Sequence, residues 1–527
     1  MKKIFILFLI LTLGFILRFW HLGDNPPSLD WDEASLGYNA YSILKTGADE
    51  YGNFLPLSIR SFGDYKPPLY TYLTIPPVSL WGLNEYSTRF ASALLGFFTL
   101  IVGYFLVRIL LNLYSAKIPL LFTLFFAISP WHIQFSRIAF ESNISLFFVS
   151  LGICLFLYAS KRPKLYIASF IMLGLSLYTY HSPRLIVPLL IVFLTLLYRR
   201  HILPNKKWFV VGIICFILLI LPVLKELRGS TGARFSSVSS LTPESLSESI
   251  NLIKIDKENG DRLGMLTHNR RLIYAREILG GYLDHFNFDF LFLNGDPPAR
   301  HHANGMGMMY LWDFIFVAIG GIVVLRVRNA GMKVMVIWLV LSPLASALTT
   351  GTPHAVRALL MLLPLVYFST IGFNFVYTRY KKLTRVAVFF LLINFYYYLN
   401  LYWIHSPVES SSDWQYGYKQ VVSEVAKRES EFDKIIVTYR YDQPYIFFLY
   451  YNLIDPSWYQ KNWGTGEIPR SNRSFGKFEF RNIDWQKDSY LKNVLFVGTG
   501  DEIPSDIPNE QVLHFLDGSV AFRVVAR

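Results

Sequence analysis

Apolar residues in this chain come in long, uninterrupted runs rather than in the one-sided patterns of a soluble protein. Eleven stretches carry almost no charge: residues 4–20, 89–110, 117–134, 143–160, 165–181, 184–198, 208–224, 311–326, 334–350, 357–377 and 385–403. Most run about 17 to 22 residues, the length that crosses roughly 30 Å of hydrocarbon at 1.5 Å per residue. A helix in a soluble core seldom stays apolar around its whole circumference for so long. The pattern predicts an all-α polytopic membrane domain of about eleven transmembrane helices. The first run follows Lys2-Lys3, is not followed by a small-residue cleavage site, and ends in Arg18-Phe19-Trp20. It reads as a retained helix whose last residues anchor at the interface.

Three polar segments between and after the runs are long. Residues 21–88 are rich in Asp, Gly, Pro and Tyr, with one helix expected over 33–44, closed by Gly47, and another over 69–80, broken by Pro76-Pro77. Residues 225–310 contain a Ser-rich stretch at 236–249, expected to be mobile, and end in 289–309, dense in Gly, His and Asn. From residue 406 the pattern changes. Helices are expected over 416–427 and 444–451, strands over 434–439 and 493–498, and a hairpin over 512–525. The predicted organisation is a membrane domain, 1–405, followed by a small α/β domain, 406–527.

Charge orients this arrangement. With the N-terminus inside, the inner segments 2–3, 108–117, 161–164, 199–207, 326–333 and 379–385 hold 18 Lys and Arg and no Asp or Glu. The other side then holds the remaining 32 bases and all 37 acids. Basic residues concentrate on cytoplasmic loops, so the N-terminus is expected inside and, after eleven crossings, the C-terminal domain outside. The net charge of +13 is therefore a topology signal. A nucleic-acid partner, which needs its bases on one accessible face, is not expected. Cys154 and Cys215 both fall in apolar runs and read as packing residues.

Polar clusters sit where the runs end on the outer side. Asp30-Trp31-Asp32-Glu33 offers carboxylates for a general base or for a metal, or, in the simpler reading, Asp32 as helix cap with Glu33 in the first turn. Asp64-Tyr65-Lys66-Pro67-Pro68 holds Lys66 extended before proline, as a phosphate ligand or an interfacial lysine. Three further turns each carry an Arg with a His three to five residues before it: His132 and Arg137 (with Glu141 positioned for an ion pair), His181 and Arg184, His354 and Arg357. Their recurrence predicts a converging anion site.

These residues carry a resemblance. The segment from Pro27-Ser28-Leu29-Asp30-Trp31-Asp32-Glu33 through Asp64-Tyr65-Lys66-Pro67-Pro68-Leu69-Tyr70 to Asn84-Glu85-Tyr86-Ser87-Thr88-Arg89 resembles the protein O-mannosyltransferase and aminoarabinose transferase superfamily, glycosyltransferase family 39-like enzymes of the GT-C class. SPWHIQFSRIAFES at 129–142, YTYHSPR at 178–184, FLFLNGDPPARHHANGMG at 290–307 and SALTTGTPHAVRALLMLLP at 346–364 add to it. The resemblance implies transfer of one sugar, with inversion, from a polyprenyl-phosphate donor to an acceptor hydroxyl on a protein, a lipid or a wall glycan. It implies Asp32 as the catalytic carboxylate with Glu33 beside it, and Lys66, Arg137 and Arg184 as ligands of the donor phosphate. Asp64, Glu141, His181, His302, His354 and Arg357 are further candidates for donor or acceptor contacts. After Asp32-Glu33 the aminoarabinose transferases carry Arg-Tyr, whereas this chain has Ala34-Ser35-Leu36.

The chemistry agrees with those roles. A hydroxyl is far less acidic than a carboxylic acid of pKa about 4, so Asp32 would take its proton only as the new bond forms. Fixed cations would meet the charge developing on the leaving phosphate. No cofactor is expected; a divalent metal at Asp32 and Glu33 is the one alternative the residues allow. A ligase of a larger diphosphate-linked glycan is the second reading. A transporter would need polar residues and broken helices at mid-membrane, and the runs are apolar there.

Overall fold

The computed structural model describes residues 1–111, 116–227, 243–327, 329–463, 474–507 and 510–527. Part of the Ser-rich stretch, 236–242, lies outside them. A helix covers most of every predicted run. Among the described residues, six helical segments are long and apolar enough to cross a membrane, and a seventh is if the bent pair Lys117–Ile128 and Pro130–Ser136 counts as one. That pair turns by 60° at Ser129-Pro130, where proline both starts the second piece and denies the first a continuing N–H donor.

The helices pack closely where side chains are small. Gly320 of Leu311–Arg326 and Gly372 of Leu362–Arg379 face the partner backbone. A Cβ on Gly320 would lie 1.9 Å from the Phe368 carbonyl oxygen, and one on Gly372 would lie 2.0 Å from that of Phe316. Arg18 is not an interfacial anchor. It is fully buried, donates to the Gly14 and Ala127 carbonyls at 3.0 and 3.1 Å, and lies 2.6 Å from His132 Nδ1. Buried guanidinium must find acceptors, and the bend before His132 supplies them. Trp20 alone keeps the exposed, anchor-like position.

In the segment after the first helix, α1 (Lys2–Phe19), the helix α2 (Trp31–Thr46) ends at Gly47, whose φ of +73° is the left-handed cap that glycine adopts without strain. A short hairpin follows, β1 (Ile59–Ser61) against β2 (Asp64–Lys66). Helix α3 (Leu69–Trp81) then runs straight through Pro76-Pro77 rather than breaking there. Both prolines have helix-compatible φ, so they forfeit donors without ending the helix. α4 (Glu85–Leu110) begins at an Asn84 capping box.

Beyond residue 406, five strands form one sheet in the order β4-β3-β5-β7-β6, with β3 (Lys434–Val437), β4 (Phe478–Phe480), β5 (Val494–Gly498), β6 (Gln511–His514) and β7 (Val520–Ala526). β3 is parallel to β4 and β5, while β7 is antiparallel to β5 and β6. β4, only three residues long, was not apparent from the pattern. The helices Tyr418–Arg428 and Pro444–Tyr451 stand beside this sheet, and their core does not stop at residue 406. Leu29, Ala34 and Tyr38 of the first polar segment belong to the same buried cluster as Tyr418, Val421, Tyr445 and Ile446. Hydrogen bonds reinforce the seam: Thr88 Oγ1 to Tyr450 Oη at 2.7 Å, Tyr38 Oη to the Ile454 carbonyl at 3.0 Å, and the Trp31 N–H to Gln415 Oε1 at 2.9 Å.

Candidate active site around the Asp32–Lys66 pair

The start of α2 is fixed by Asp30, not Asp32. The Asp30 carboxylate accepts the Glu33 N–H at 2.8 Å, and the Glu33 carboxylate reaches back to the Asp30 N–H at 3.4 Å. This capping box satisfies two of the helix's orphan donors and leaves Asp32 in the first turn, outside the cap. Asp32 is ion-paired with the ammonium of Lys66. Its side chain is 39% exposed, whereas that of Lys66 is only 9% exposed. Lys66 comes from the end of β2, held extended before Pro67 as the sequence predicts, but it points inward to Asp32 rather than out to an interface. Burial alone would depress the Lys66 pKa; the carboxylates of Asp32 and Glu141 outweigh it and hold the ammonium above its ordinary value. Glu141, the first residue of the helix Glu141–Tyr158, is itself buried.

Glu33 has a different fate. It is fully buried, with Arg89 forking onto both of its oxygens at 2.9 Å and the Ala139 N–H donating to Oε1 at 2.8 Å. Arg89 also donates to the carbonyls of Pro26 at 2.8 Å and Ser28 at 2.5 Å. A carboxylate so enclosed neither reaches substrate nor has lone pairs left for a metal. Glu33 therefore holds the start of α2 to Arg89 and to the backbone of residue 139, with no lone pair left to share an ion with Asp32.

Asp30 is also buried and pairs with Arg300 at 2.6 Å, whose guanidinium lies 4.4 Å from the centre of the Trp31 ring. Burial raises the Asp30 pKa to about 6; Arg300 opposes the shift, and Asp32 and Glu33 add to it. Neither Arg300 nor Arg89 was singled out from the sequence, although both lie in the quoted segments. An arginine five residues after a helix cap or inside ARHH looks like any surface cation until its partner is known.

The three His/Arg turns do not converge as expected. Arg137 is wholly buried: it donates to Tyr402 Oη at 3.0 Å and to the carbonyls of His21 at 3.1 Å and Asn25 at 2.8 Å, with Trp403 4.5 Å from the guanidinium carbon. Neutral acceptors and aromatic faces already surround its charge, so it ties the end of α1 to the π-turn Leu401–His405 instead of facing a phosphate. Residues 138–140 are not helical, so Arg137 and Glu141 are not the intrahelical pair that their spacing implied. The other two turns do meet. Ser182 Oγ donates to the Arg357 carbonyl at 2.8 Å, and the Leu69 N–H donates to the Tyr178 carbonyl at 3.0 Å, which joins them to the Lys66 loop. Arg184, half-buried, donates Nε to Leu177 at 3.1 Å, and Arg357 donates to Thr349 Oγ1 at 2.6 Å. His181 precedes the helix Ser182–Ile202, and Asp64 accepts the Tyr65 N–H at 2.7 Å. His302 is bonded locally, Nε2 to the Asp296 carbonyl at 2.8 Å. His354 joins Asp296 and His301 in a separate cluster. Among the described residues, those three are the group of His, Cys, Asp and Glu side chains close enough to share an ion.

Ala34-Ser35-Leu36, where aminoarabinose transferases carry Arg-Tyr, is explained by packing. Ala34 and Leu36 are buried, and Ser35 Oγ lies 2.9 Å from Ser61 Oγ, so this face of α2 has no room for an arginine.

The family model described as dolichyl-phosphate-mannose-protein mannosyltransferase matches residues 8–229, the part that holds Asp32, Lys66 and Arg184. An uncharacterized protein of Aquifex aeolicus (strain VF5) is 30% identical over 202 residues, 38% of either chain. Among solved structures, ArnT from Cupriavidus metallidurans, bound to undecaprenyl phosphate, is similar with a TM-score of 0.54 at 12% identity, over 99% of this chain and 97% of that one. The Archaeoglobus fulgidus oligosaccharyltransferase, in complex with Zn and sulfate, is similar with a TM-score of 0.50 at 12% identity, over 84% of this chain and 61% of that one. The chain thus spans 38% of the length of the curated relative and 61% of the oligosaccharyltransferase. Identities this low speak to fold alone. The chain is thus similar to the dolichyl-phosphate-mannose-protein mannosyltransferase family over residues 8–229, less than half of its length, and shares the fold of ArnT over nearly all of it.

Proposed function

We propose that this protein is a multi-pass membrane glycosyltransferase that moves a sugar, with inversion, from a polyprenyl-phosphate carrier to an acceptor hydroxyl on the extracytoplasmic face. Eleven crossings, an inner N-terminus and an outer C-terminal region, 406–527, are part of this reading, supported by the distribution of basic residues. The observation that carries it is the pair Asp32–Lys66, a charged lysine largely withdrawn from water against a carboxylate that stays partly open.

The pair works as a resting state. A donor phosphate competes for Lys66, whose second carboxylate neighbour, Glu141, keeps the ammonium in place during the exchange. Asp32 is thereby released to the acceptor. The acceptor oxygen bonds to the anomeric carbon while the bond from that carbon to the phosphate oxygen breaks, and the hydroxyl proton passes to Asp32. The leaving phosphate takes the bonding electrons, and Lys66, with Arg184 and Arg357 as the remaining candidates, meets its charge. Because lipid tails stay in hydrocarbon, the phosphate has to be met at a helix end, and Asp32 and Lys66 lie beside the starts of α2 and α3.

The test is sugar transfer from a synthetic short-chain polyprenyl-phosphate donor by purified enzyme. Lys66→Met is expected to cost about 1.5–3 kcal/mol in donor binding and turnover. Asp32→Asn is expected to lower the rate at least about 10²-fold. Near-normal turnover in Asp32→Asn sinks the mechanism. Mass spectrometry of membrane glycolipids, surface proteins and wall polymers, with and without the protein, identifies sugar and acceptor.

A further inference from the structure

The loop that carries Arg300 holds a second constellation. Asp296, His301 and His354 each place a possible ligand atom within 4.8 Å of the other two, and Asp296 and His301 are buried. Asp296 Oδ2 is occupied: it lies 2.6 Å from His301 Nδ1 and accepts the Ala355 N–H at 2.8 Å. Asp296 Oδ1 and His354 Nδ1 are buried with no hydrogen-bond partner. A buried carboxylate oxygen left without a donor and a buried imidazole nitrogen left without a partner each cost free energy, and both are made good by one cation.

The surroundings fix these groups as ligands are usually fixed. His301 is wedged between the Phe135 and Phe140 rings, with centroids 6.0 and 5.7 Å away, and its ring lies 5.2 Å from that of His354. The His354 N–H donates to His285 Nε2 at 3.2 Å, and His285 is held in turn by Ser346 Oγ at 2.8 Å and the Gly281 carbonyl at 2.7 Å. These contacts hold the backbone of the turn that carries His354.

We infer that Asp296, His301 and His354 bind one divalent transition-metal ion of the zinc type. Two imidazoles and one carboxylate suit Zn²⁺ and its neighbours and leave a fourth position for water. Tetrahedral bonds of about 2.0–2.1 Å set ligand atoms roughly 3.4 Å apart, so modest rotation of the His354 ring and the carboxylate closes the shell. The cationic Arg357 lies nearby and works against a metal, but Asp296 balances it and the guanidinium is engaged by Thr349 and Thr350. The ion would staple the 296–301 turn to the 354–355 turn, and so fix Arg300 against Asp30. The site is independent of the transferase reading, because its test reads metal and not turnover.

Untagged full-length protein is stripped with chelator in detergent, returned to micromolar Zn²⁺, and analysed for metal; Co²⁺ is loaded in parallel for its visible absorption. About one equivalent per chain is expected, with the visible bands of a tetrahedral Co²⁺ centre. His354→Gln and Asp296→Asn are expected to weaken binding at least about 100-fold, while His302→Gln, one residue outside the set, retains it. Failure of the wild-type protein to take up a stoichiometric ion overturns the proposal, as does stoichiometric binding unchanged in both ligand variants. The wild-type measurement stands even if a variant fails to fold.

Discussion

Asp32 and Glu33 are adjacent carboxylates with opposite environments, and that contrast sets the expectations for their variants. Glu33→Gln leaves the Arg89 charge buried without its counterion, a defect that typically costs about 3–5 kcal/mol. The folded yield and thermal midpoint of Glu33→Gln in detergent should both fall, while Asp32→Asn, which spares the cap and leaves Lys66 its second carboxylate neighbour, Glu141, should lower them less. Asp30 gives a pH signature of defined sign. Its pKa is raised to about 6, so the fold favours its neutral form. That stabilisation is present below the ordinary carboxylate value of about 4 and is lost as the pH rises through 6. Asn caps a helix as well as Asp, so Asp30→Asn removes the titration and keeps the cap. The stability of the wild type relative to Asp30→Asn should decline from pH 4 to pH 7, by up to about 3 kcal/mol at 1.36 kcal/mol per pKa unit. A difference that stays flat across that range would show that Asp30 does not titrate there. The sequence made the importance of residues 30–33 legible through their density of carboxylates, but not the division of labour. That division depends on Arg89, Arg300 and Lys66, which approach from three other segments.

Among elements, the apolar runs coincide with helices, six or seven of them among the described residues long and apolar enough to cross a membrane, because hydrocarbon forces a length and a composition on a crossing segment. What they could not show is which helices touch. Two glycines fifty residues apart look incidental until Gly320 and Gly372 are seen back to back. In lipid, helices gain little from burying apolar surface and associate through close packing, so small residues at a contact matter more than in water. Gly372→Val should therefore overpack the contact and lower the thermal midpoint, at a cost of about 1–3 kcal/mol. Gly321→Ala, beside it but with open space around the added methyl, should be neutral or slightly stabilising. Equal losses in both variants would show that helix propensity, not the contact, decides.

For the molecule as a whole, the 18-to-0 split of basic over acidic residues in the proposed inner segments predicts a reporter after Arg527 outside the cell and one within 199–207 inside. A C-terminal reporter found inside would overturn the eleven-crossing topology. The boundary expected at 405/406, where composition shifts, is crossed by the packing, because residues of α2 share a buried cluster with the later region. A chain ending at residue 405 should still insert, since its apolar helices remain. It should lose turnover at least about 10²-fold, because α2 would no longer hold Asp32 to the geometry that transfer requires. Insertion is read by protease protection, and turnover by the donor assay.

The first residue of α2 also fixes when the site can exist at all. The Trp31 backbone is held by Gln415, 384 residues later, and the neighbouring Asp30 by Arg300, 270 residues later. During synthesis the segment carrying Asp32 leaves the ribosome early, yet these two partners arrive only after most of the membrane helices have been threaded. Contacts closed over such separations form last. A nascent chain that has not reached residue 415 therefore carries Asp32 without the two contacts that hold its neighbours, and the proposed site is framed only once both partners have been made.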